Sequence, residues 1–324
     1  MKILVTLSVL GLFSFCKTIP KFVPVSEHNL TKIQSDGIER DFHYYIPKNK
    51  TNTKYSLIFI LHGGGGSGEG MIYLTRMSDL ASENNYIAVY PNGFENRWND
   101  GRSLPHSSTD KRNTKDVLFF RQMIEYFKTK YEIDTSKIHV VGLSNGGFMA
   151  QRILCEAADI FASGFSIAAT TSKFISEQCS LPEPVSLGFI FGKKDDVVPY
   201  KGGSIQIPIS MEPNAAKVFG GESLSFLESL SIWKKRLKCD KEEIEYIDGL
   251  KKKTQKDILK YSFTNCSTNS MLNAYLIESG GHFWPHGFYY LNEKNSGYLT
   301  NDLDATKVVI QFFKQTPKSI MGVN

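Results

Sequence analysis

The chain has 324 residues, of which 41% are hydrophobic and 12% aromatic, and its formal net charge is +5. This length and apolar content are enough to bury a large core, which excludes an intrinsically disordered protein. The lysine excess is spread along the chain, and its densest run is the three lysines at 251–253. Because no zinc-finger spacing or aromatic-basic RNA motif accompanies that run, it indicates a solvated surface rather than a nucleic-acid interface.

The N-terminus predicts an export signal. Lys2 precedes an apolar run over residues 3–15, which fits the hydrophobic region of a secretory signal and is short for a membrane span. Cys16 follows and leaves a second interpretation open, a lipid-modified cysteine that anchors the mature chain in a membrane. Phe15 is larger than the residue that usually precedes such a cysteine. The predicted location is therefore outside the cell, in the periplasm or at the cell surface, with lipid anchoring as the alternative.

Three segments are predicted in the organisation of the chain. Residues 1–16 form the signal, residues 17–33 form an extended tether, and residues 34–324 form one folded domain. No internal repeat, low-complexity tract or further linker divides that domain.

Strands and helices alternate along the domain. Buried or alternating apolar runs predict strands over 38–47, 56–61, 87–90, 137–141, 164–168, 186–191 and 274–277. Helical spacing predicts helices over 71–84, 116–131, 145–157, 223–237 and 304–314, with Asp116 as the cap of the second. The alternation favours an α/β fold with a mostly parallel central sheet covered by helices on both faces.

The strongest local motif is G-x-S-x-G over residues 142–146, centred on Ser144. An apolar strand precedes it and a helical segment follows, which is the context of a nucleophile elbow. Glycines are needed there because a Cβ would clash with the neighbouring strand and helix, while the helix N-terminus directs free N–H groups toward the serine. The alternative is an ordinary strand-to-helix turn without chemistry.

A serine hydroxyl needs a base, and the base needs an acid that orients it. His282 follows a glycine pair after the late strand at 274–277, and His286 is its competitor. The acid is expected after the strand at 186–191, where Asp195 and Asp196 are adjacent. Spacing from the strand end favours Asp195, with Asp196 as a turn or capping residue. The order Ser, Asp, His is that of α/β-hydrolases.

A glycine-rich segment over residues 61–68 follows the strand at 56–61. Glycines let backbone N–H groups approach a developing oxyanion, and we expect the donors to be the amides of Asn145 and Gly64. The alternative, a phosphate-binding loop, lacks the G-x-x-x-x-G-K-[ST] pattern.

Four cysteines lie beyond the signal, and an oxidising compartment would pair them. Of the three pairings, Cys155–Cys179 and Cys239–Cys266 close the shorter loops and are favoured. No C-x-x-C motif occurs, and no metal site is predicted.

Taken in order, these motifs resemble those of secreted α/β-hydrolase esterases of the polyhydroxybutyrate-depolymerase-like and feruloyl-esterase-like type. The similarity runs over residues 37–313. The matching stretches are RDFHYYIP at 40–47, LHGGGGSG at 61–68, YPNG at 90–93, RWNDG at 97–101, GLSNGG at 142–147, GKKDDVVPY at 192–200 and GGHFWP at 280–285. The chain departs from the family pattern at Lys193 and Lys194, and at Asp196, where the family often has proline.

The resemblance implies Ser144 as nucleophile, Asp195 as acid and His282 as base, and it supports both disulfide pairs. It also implies that Trp98 and Trp284 lie near the substrate mouth, although core packing is an equal alternative for each. The implied activity is hydrolysis of soluble carboxylic esters, carrying feruloyl, acetyl or short hydroxyalkanoate groups, without metal or organic cofactor. A serine peptidase on the same fold and a non-catalytic, lipid-anchored binding protein are the alternatives.

Overall fold

The computed structural model describes residues 22–48, 54–210, 212, 214–250 and 257–318. The predicted signal, Cys16 and the lysines at 251–253 lie outside these ranges. The strands are β1 Asn29–Ser35, β2 Ile38–Tyr45, β3 Tyr55–Leu61, β4 Tyr86–Pro91, β5 Ile133–Leu143, β6 Ser163–Ile167, β7 Ser186–Gly192, β8 Gly203–Pro208, β9 Lys217–Ser223, β10 Lys241–Ile247, β11 Ile258–Thr264 and β12 Leu272–Ile277.

Ten of these strands form one sheet in the order β1-β2-β4-β3-β5-β6-β7-β12-β11-β10, and β8 and β9 form a separate hairpin. The six central strands, from β4 to β12, pair in parallel. Both edges are antiparallel. The predicted mostly parallel sheet is therefore confirmed, and the carboxyl ends of its central strands lie at one edge, where such folds place their functional residues.

Helices cover both faces of the sheet, as the sequence predicts. They are α1 Gly68–Thr75, α2 Met77–Glu83, α3 Ser108–Arg112, α4 Asp116–Lys130, α5 Asn145–Glu156, α6 Lys173–Gln178, α7 Phe226–Leu237, α8 Glu293–Ser296 and α9 Ala305–Gln315. Apolar side chains of α4, α5 and α7 pack in one core cluster, and those of α1, α2 and α9 pack in another. Alternate residues of the buried strands point into each cluster, so the strands are apolar on both sides.

Four secondary-structure predictions need correction. The tether predicted over residues 17–33 is wrong from Asn29 onward, because β1 pairs with β2 as an edge strand. The helix predicted over 71–84 is broken at Arg76, whose φ of 49° ends α1. Asp116 does not cap α4 with its side chain; it is buried in an ion pair with Arg40, with a 2.9 Å separation between Oδ1 and Nη2.

The helix predicted over 223–237 begins later, at Phe226, because residues 217–223 form β9 instead. Its start is set by a capping box, in which Ser225 and Glu228 each satisfy the other's backbone N–H. The strands β8, β9, β10 and β11 were not predicted from the sequence.

Both favoured disulfides are present. Cys155–Cys179 joins the last turn of α5 to the end of α6, and Cys239–Cys266 joins the segment after α7 to the turn after β11. Across the described ranges, no helix combines the length and apolar character that crossing a bilayer requires.

Candidate active site

Ser144 lies at the sharp turn between β5 and α5. Its backbone has φ 53° and ψ −117°, a conformation that a residue with a Cβ rarely adopts and that is held in place by its surroundings. Its N–H donates to the Ile167 carbonyl at 2.8 Å. A Cβ on Gly142 would overlap the Gly146 carbonyl oxygen, and one on Gly146 would lie 2.6 Å from the Leu61 carbonyl oxygen. The two glycines therefore allow the tight approach of β3, β5 and α5, and the half-buried Ser144 lies in the wall of a cavity.

Asp195 and His282 form a buried pair at the ends of β7 and β12. The Asp195 Oδ2 and the His282 Nδ1 are 2.8 Å apart, and both side chains are almost fully buried. The other carboxylate oxygen of Asp195 accepts the N–H groups of Val197 and Val198 at 2.9 and 2.8 Å. Three hydrogen bonds thus fix the carboxylate, and the carboxylate orients the imidazole with Nδ1–H as the donor. Nε2 then carries no proton and can accept one.

The competing residues occupy different environments. Asp196 is exposed, and its backbone carbonyl accepts a hydrogen bond from Lys217 Nζ at 3.1 Å. His286 is also exposed, and its N–H donates to the Thr300 carbonyl. The structure therefore brings Asp195 and His282 together and leaves Asp196 and His286 at the surface.

Gly64 and Asn145, the predicted oxyanion donors, are neighbours. A Cβ built on Gly64 would lie 3.8 Å from the Asn145 Cβ. The next two amides of the glycine loop are already used, because Gly65 N–H donates to Asn96 and Gly66 N–H donates to Gly63. Within the described residues, the Gly64 and Asn145 amides donate to no protein acceptor, so both are available to an oxygen in the cavity.

The buried His62 braces the glycine loop. Its Nδ1 is 2.7 Å from the Gly63 carbonyl oxygen, and the Gly93 N–H donates to its Nε2 at 2.9 Å. Burial lowers the pKa of His62 to about 4, although the bond to Gly63 opposes the shift. His62 is therefore a neutral structural residue. The sequence reasoning assigned it no role; its place between a buried strand and the glycines is the signal that was available.

The side chain of Asn145 holds the Trp98 segment against α5. Its Oδ1 accepts the Trp98 N–H at 2.9 Å, and its Nδ2 donates to the Trp98 carbonyl at 3.0 Å. The same amide donates to Asp100 at 2.6 Å, and Asp100 forms a buried ion pair with Arg102. The sequence reasoning did not identify this network.

Trp98 and Trp284, for which a place near the substrate mouth and core packing were equal alternatives, pack in the core. Both side chains are buried, with exposed fractions of 2% and 1%. The Trp98 Nε1–H donates to the His62 carbonyl, and that of Trp284 donates to Thr306. Neither residue is among the described residues that line the cavity at Ser144. Each indole nitrogen has a protein partner, so both rings pack as part of the core.

Ser144 and His282 line the same cavity, which has a volume of about 470 Å³. Its apolar wall includes side chains from α1, β5, the Asp195 loop and the β8–β9 hairpin, namely Met71, Leu74, Leu143, Val197, Ile205 and Ile207. Gly64 and Asn145 also line it. A separate cavity of about 530 Å³, lined by residues such as Lys128 and Lys318, contains none of these groups.

In the part of the chain that the structure describes, no three His, Cys, Asp or Glu side chains lie close enough together to bind a metal ion.

Two solved structures share this architecture over nearly the whole chain. Acetyl xylan esterase from Aspergillus awamori superposes with a TM-score of 0.55 at 12% identity, covering 89% of this chain and all of that one. S-formylglutathione hydrolase from Agrobacterium tumefaciens gives 0.52 at 13%, covering 91% and 100%. The chain has the α/β-hydrolase fold.

Sequence relatives are α/β-hydrolase esterases as well. The chain is 32% identical to Neurospora crassa feruloyl esterase B over 124 residues, 37% of this chain and 40% of that protein. It is 27% identical to a bifunctional acetylxylan esterase/xylanase of Neocallimastix patriciarum over 52% of this chain and 23% of that protein. The chain thus matches less than half of either relative. The pattern of the prolyl oligopeptidase family matches residues 72–176. The resemblance to α/β-hydrolase esterases is confirmed, at modest identity.

Proposed function

We propose that this protein is a carboxylic ester hydrolase in which Ser144 is the nucleophile, His282 the base and Asp195 the acid that orients it. The observation that carries the proposal is the buried 2.8 Å contact between Asp195 and His282 in the wall of the cavity that Ser144 enters from its strained turn. The esterase names of the sequence relatives support the same reaction class.

In the first step, His282 Nε2 removes the Ser144 hydroxyl proton while the Oγ forms a bond to the ester carbonyl carbon. The carbonyl oxygen gains the electron pair and is held by the amides of Asn145 and Gly64. Asp195 stabilises the imidazolium. Collapse of the tetrahedral intermediate breaks the bond to the alcohol oxygen, which takes the proton from His282 and leaves the acyl group on Ser144.

In the second step, water replaces the alcohol. His282 takes one proton from the water, and the resulting hydroxide oxygen attacks the acyl carbon. The second intermediate releases the Ser144 oxygen, which receives the proton back from His282, and the free acid departs. The enzyme returns to its starting state without a cofactor.

The substrates that fit best are small esters with feruloyl, acetyl or short hydroxyalkanoate acyl groups. The apolar wall of the cavity supports this proposal because it matches an aromatic or short aliphatic group. Feruloyl esterase and acetylxylan esterase are the names of the relatives cited above. Such an ester, attached to a polysaccharide or released from a polyester, is the proposed partner.

The proposed location is outside the cell, in the periplasm or at the cell surface. Two disulfides support it, because disulfides persist in oxidising compartments. The apolar N-terminal run supplies the signal, and lipid attachment at Cys16 remains part of the proposal as the alternative to a free exported protein.

The proposal is tested with p-nitrophenyl acetate, methyl ferulate and acetylated xylan. Wild type is expected to hydrolyse at least one of them, and Ser144→Ala is expected to lose at least about 10³-fold in kcat. Ser231→Ala, which removes an exposed hydroxyl on α7, is the control and keeps full activity. No hydrolysis by wild type, or full activity of Ser144→Ala, contradicts the proposal and favours a non-catalytic binding protein.

A peptidase is the second candidate, because the prolyl oligopeptidase pattern covers the segment that contains Ser144. The same nucleophile would attack an amide, so mutation of Ser144 does not distinguish an esterase from a peptidase. Assays with a set of peptide p-nitroanilides distinguish them. The esterase proposal predicts that they stay intact at enzyme concentrations that exhaust the esters, whereas faster cleavage of the anilides would assign the peptidase activity.

A further inference from the structure

Arg97 is a half-buried side chain in the wall of the Ser144 cavity, beside the glycine loop. Its Nη1 lies 3.1 Å from the position that a Cβ on Gly64 would occupy. The guanidinium is therefore next to Gly64, one of the two proposed oxyanion donors, and Gly64 in turn lies against Asn145, the other donor. The RWNDG stretch that begins at Arg97 has no part in the chemistry proposed above.

The backbone that carries Arg97 is held in a tight turn. Glu95 and Asn96 have φ values of 47° and 59°, the left-handed region that side chains with a Cβ occupy rarely. Phe94 and Arg97 bridge the base of this turn, and the Asn96 carbonyl accepts the Gly65 N–H at 2.8 Å. The turn is thus held against the glycine loop through Asn96, which fixes the backbone that carries Arg97.

The charge of Arg97 is not balanced by the protein. Within the described residues, its guanidinium has no carboxylate partner and donates no hydrogen bond to the protein, and the residues outside those ranges include no Asp or Glu. The other cavity arginine, Arg102, is neutralised by Asp100. No Asp or Glu is among the described residues that line the cavity, so one positive charge faces it unpaired.

We propose that Arg97 binds a carboxylate on the substrate, so that the preferred substrates are esters with a free carboxylate near the scissile bond. This inference rests on the proposed ester hydrolysis. The planar guanidinium presents paired N–H donors that match a carboxylate, and a charge-assisted bond at a half-buried site is worth more than one in open solvent. Half-esters of dicarboxylic acids and esters of hydroxy acids with a free acid end belong to this class.

The test compares two pairs of esters that differ only in a carboxylate against a carboxamide. Monobutyl succinate and butyl succinamate carry the group on the acyl side, and 3-carboxyphenyl and 3-carbamoylphenyl butanoate carry it on the alcohol side. Wild type is expected to prefer the carboxylate in at least one pair by about 10- to 100-fold in kcat/KM. Equal rates in both pairs would overturn the proposal.

Arg97→Gln removes the charge and keeps a polar side chain. It is expected to lower kcat/KM for the carboxylate ester by about 10- to 100-fold and so abolish the preference, with a clearly smaller loss for the neutral ester. Arg97→Lys keeps the charge without the fork and should retain part of the preference. Lys235→Gln, on the exposed face of α7, controls for net charge. Equal losses on both members of a pair would instead make Arg97 a general aid to the oxyanion and contradict carboxylate binding.

A binding measurement separates this inference from the esterase proposal. In the Ser144→Ala background no turnover is needed, and calorimetry can compare the same ester pairs. The carboxylate member is expected to bind about 10-fold or more tightly, and Arg97→Gln added to Ser144→Ala should remove that difference. If esters are never cleaved yet this difference is present, ester hydrolysis fails and the carboxylate site stands. Equal binding of both members overturns the site.

Discussion

Two adjacent aspartates lie in very different surroundings. Asp195 is buried, with three hydrogen bonds to its carboxylate, whereas Asp196 next to it is exposed. A carboxylate that is fixed in this way keeps the imidazole of His282 in one tautomer and orientation. An exposed neighbour one residue away has no such geometry.

Replacing each aspartate by asparagine separates them. Asp195→Asn is expected to lower kcat by roughly 10³–10⁴-fold, because the amide cannot stabilise the imidazolium and favours the wrong tautomer. Asp196→Asn is expected to stay within about two-fold of wild type. The measurement is kcat on p-nitrophenyl acetate for the two variants. A larger loss for Asp196→Asn would show that Asp196, rather than Asp195, is the acid.

The sequence predicted the positions of Ser144, Asp195 and His282, because each follows a recognisable strand in a fixed order. It did not predict which way Trp98 and Trp284 face, since an amphipathic ring is equally compatible with a cavity wall and with the core. The unpaired charge of Arg97 and the contacts by which His62 holds the glycine loop could not be predicted from the sequence either. Both depend on contacts between segments that lie some 30 residues apart, such as His62 with Gly93.

The turn between β5 and α5 requires glycine at position 142, because there is no space for a Cβ there. A Cβ on Gly142 would overlap the Gly146 carbonyl, and neither backbone can move without displacing β3 or α5. Gly70, by contrast, is exposed inside α1, and its nearest atom to an added Cβ is Ser67 Oγ at 3.4 Å.

Alanine at these two glycines is expected to act in opposite directions. Gly142→Ala should destabilise the fold by about 3 kcal/mol or more through overpacking. Gly70→Ala should stabilise it by about 0.5–1 kcal/mol, since alanine loses less backbone entropy in a helix. Chemical denaturation of both variants measures the two changes. Equal stability of Gly142→Ala and wild type would contradict the packing described at the elbow.

The central elements were predictable because burial on both faces leaves continuous apolar runs, as in β3 and β7. The strands β8 to β11 lack such runs, because β9 and β10 are largely exposed, while β8 and β11 mix buried residues with partly or fully exposed ones. In β10, for example, six of the seven residues are exposed and three are glutamates. An exposed strand is defined by the partner that it pairs with rather than by its own pattern.

Two buried neutral histidines make the free energy of unfolding of the whole molecule depend on pH. Burial lowers the pKa of His62 to about 4 and that of His139 to about 3. In the unfolded chain both return to about 6.5, so that state binds more protons between these values. Their contribution is therefore present in full above about pH 6.5 and is lost as the pH falls toward 4.

At pH 5 both folded pKa values lie below the solution pH, so each histidine is expected to lower the free energy of unfolding by about 2 kcal/mol relative to pH 7. His139→Gln should reduce the loss between pH 7 and pH 5 by that amount, whatever its effect at either pH alone. Denaturant titrations with the disulfides intact give both values. An unchanged pH dependence in the variant would contradict the neutral, buried state of His139.

Active-site labelling tests the proposal that Ser144 is a nucleophile activated by His282. A fluorophosphonate reacts with an activated serine, and peptide mass mapping locates the adduct. We expect one adduct per chain on the peptide that contains Ser144, lost in Ser144→Ala and formed far more slowly in His282→Ala. An adduct on another serine, or equal labelling of wild type and His282→Ala, would contradict it.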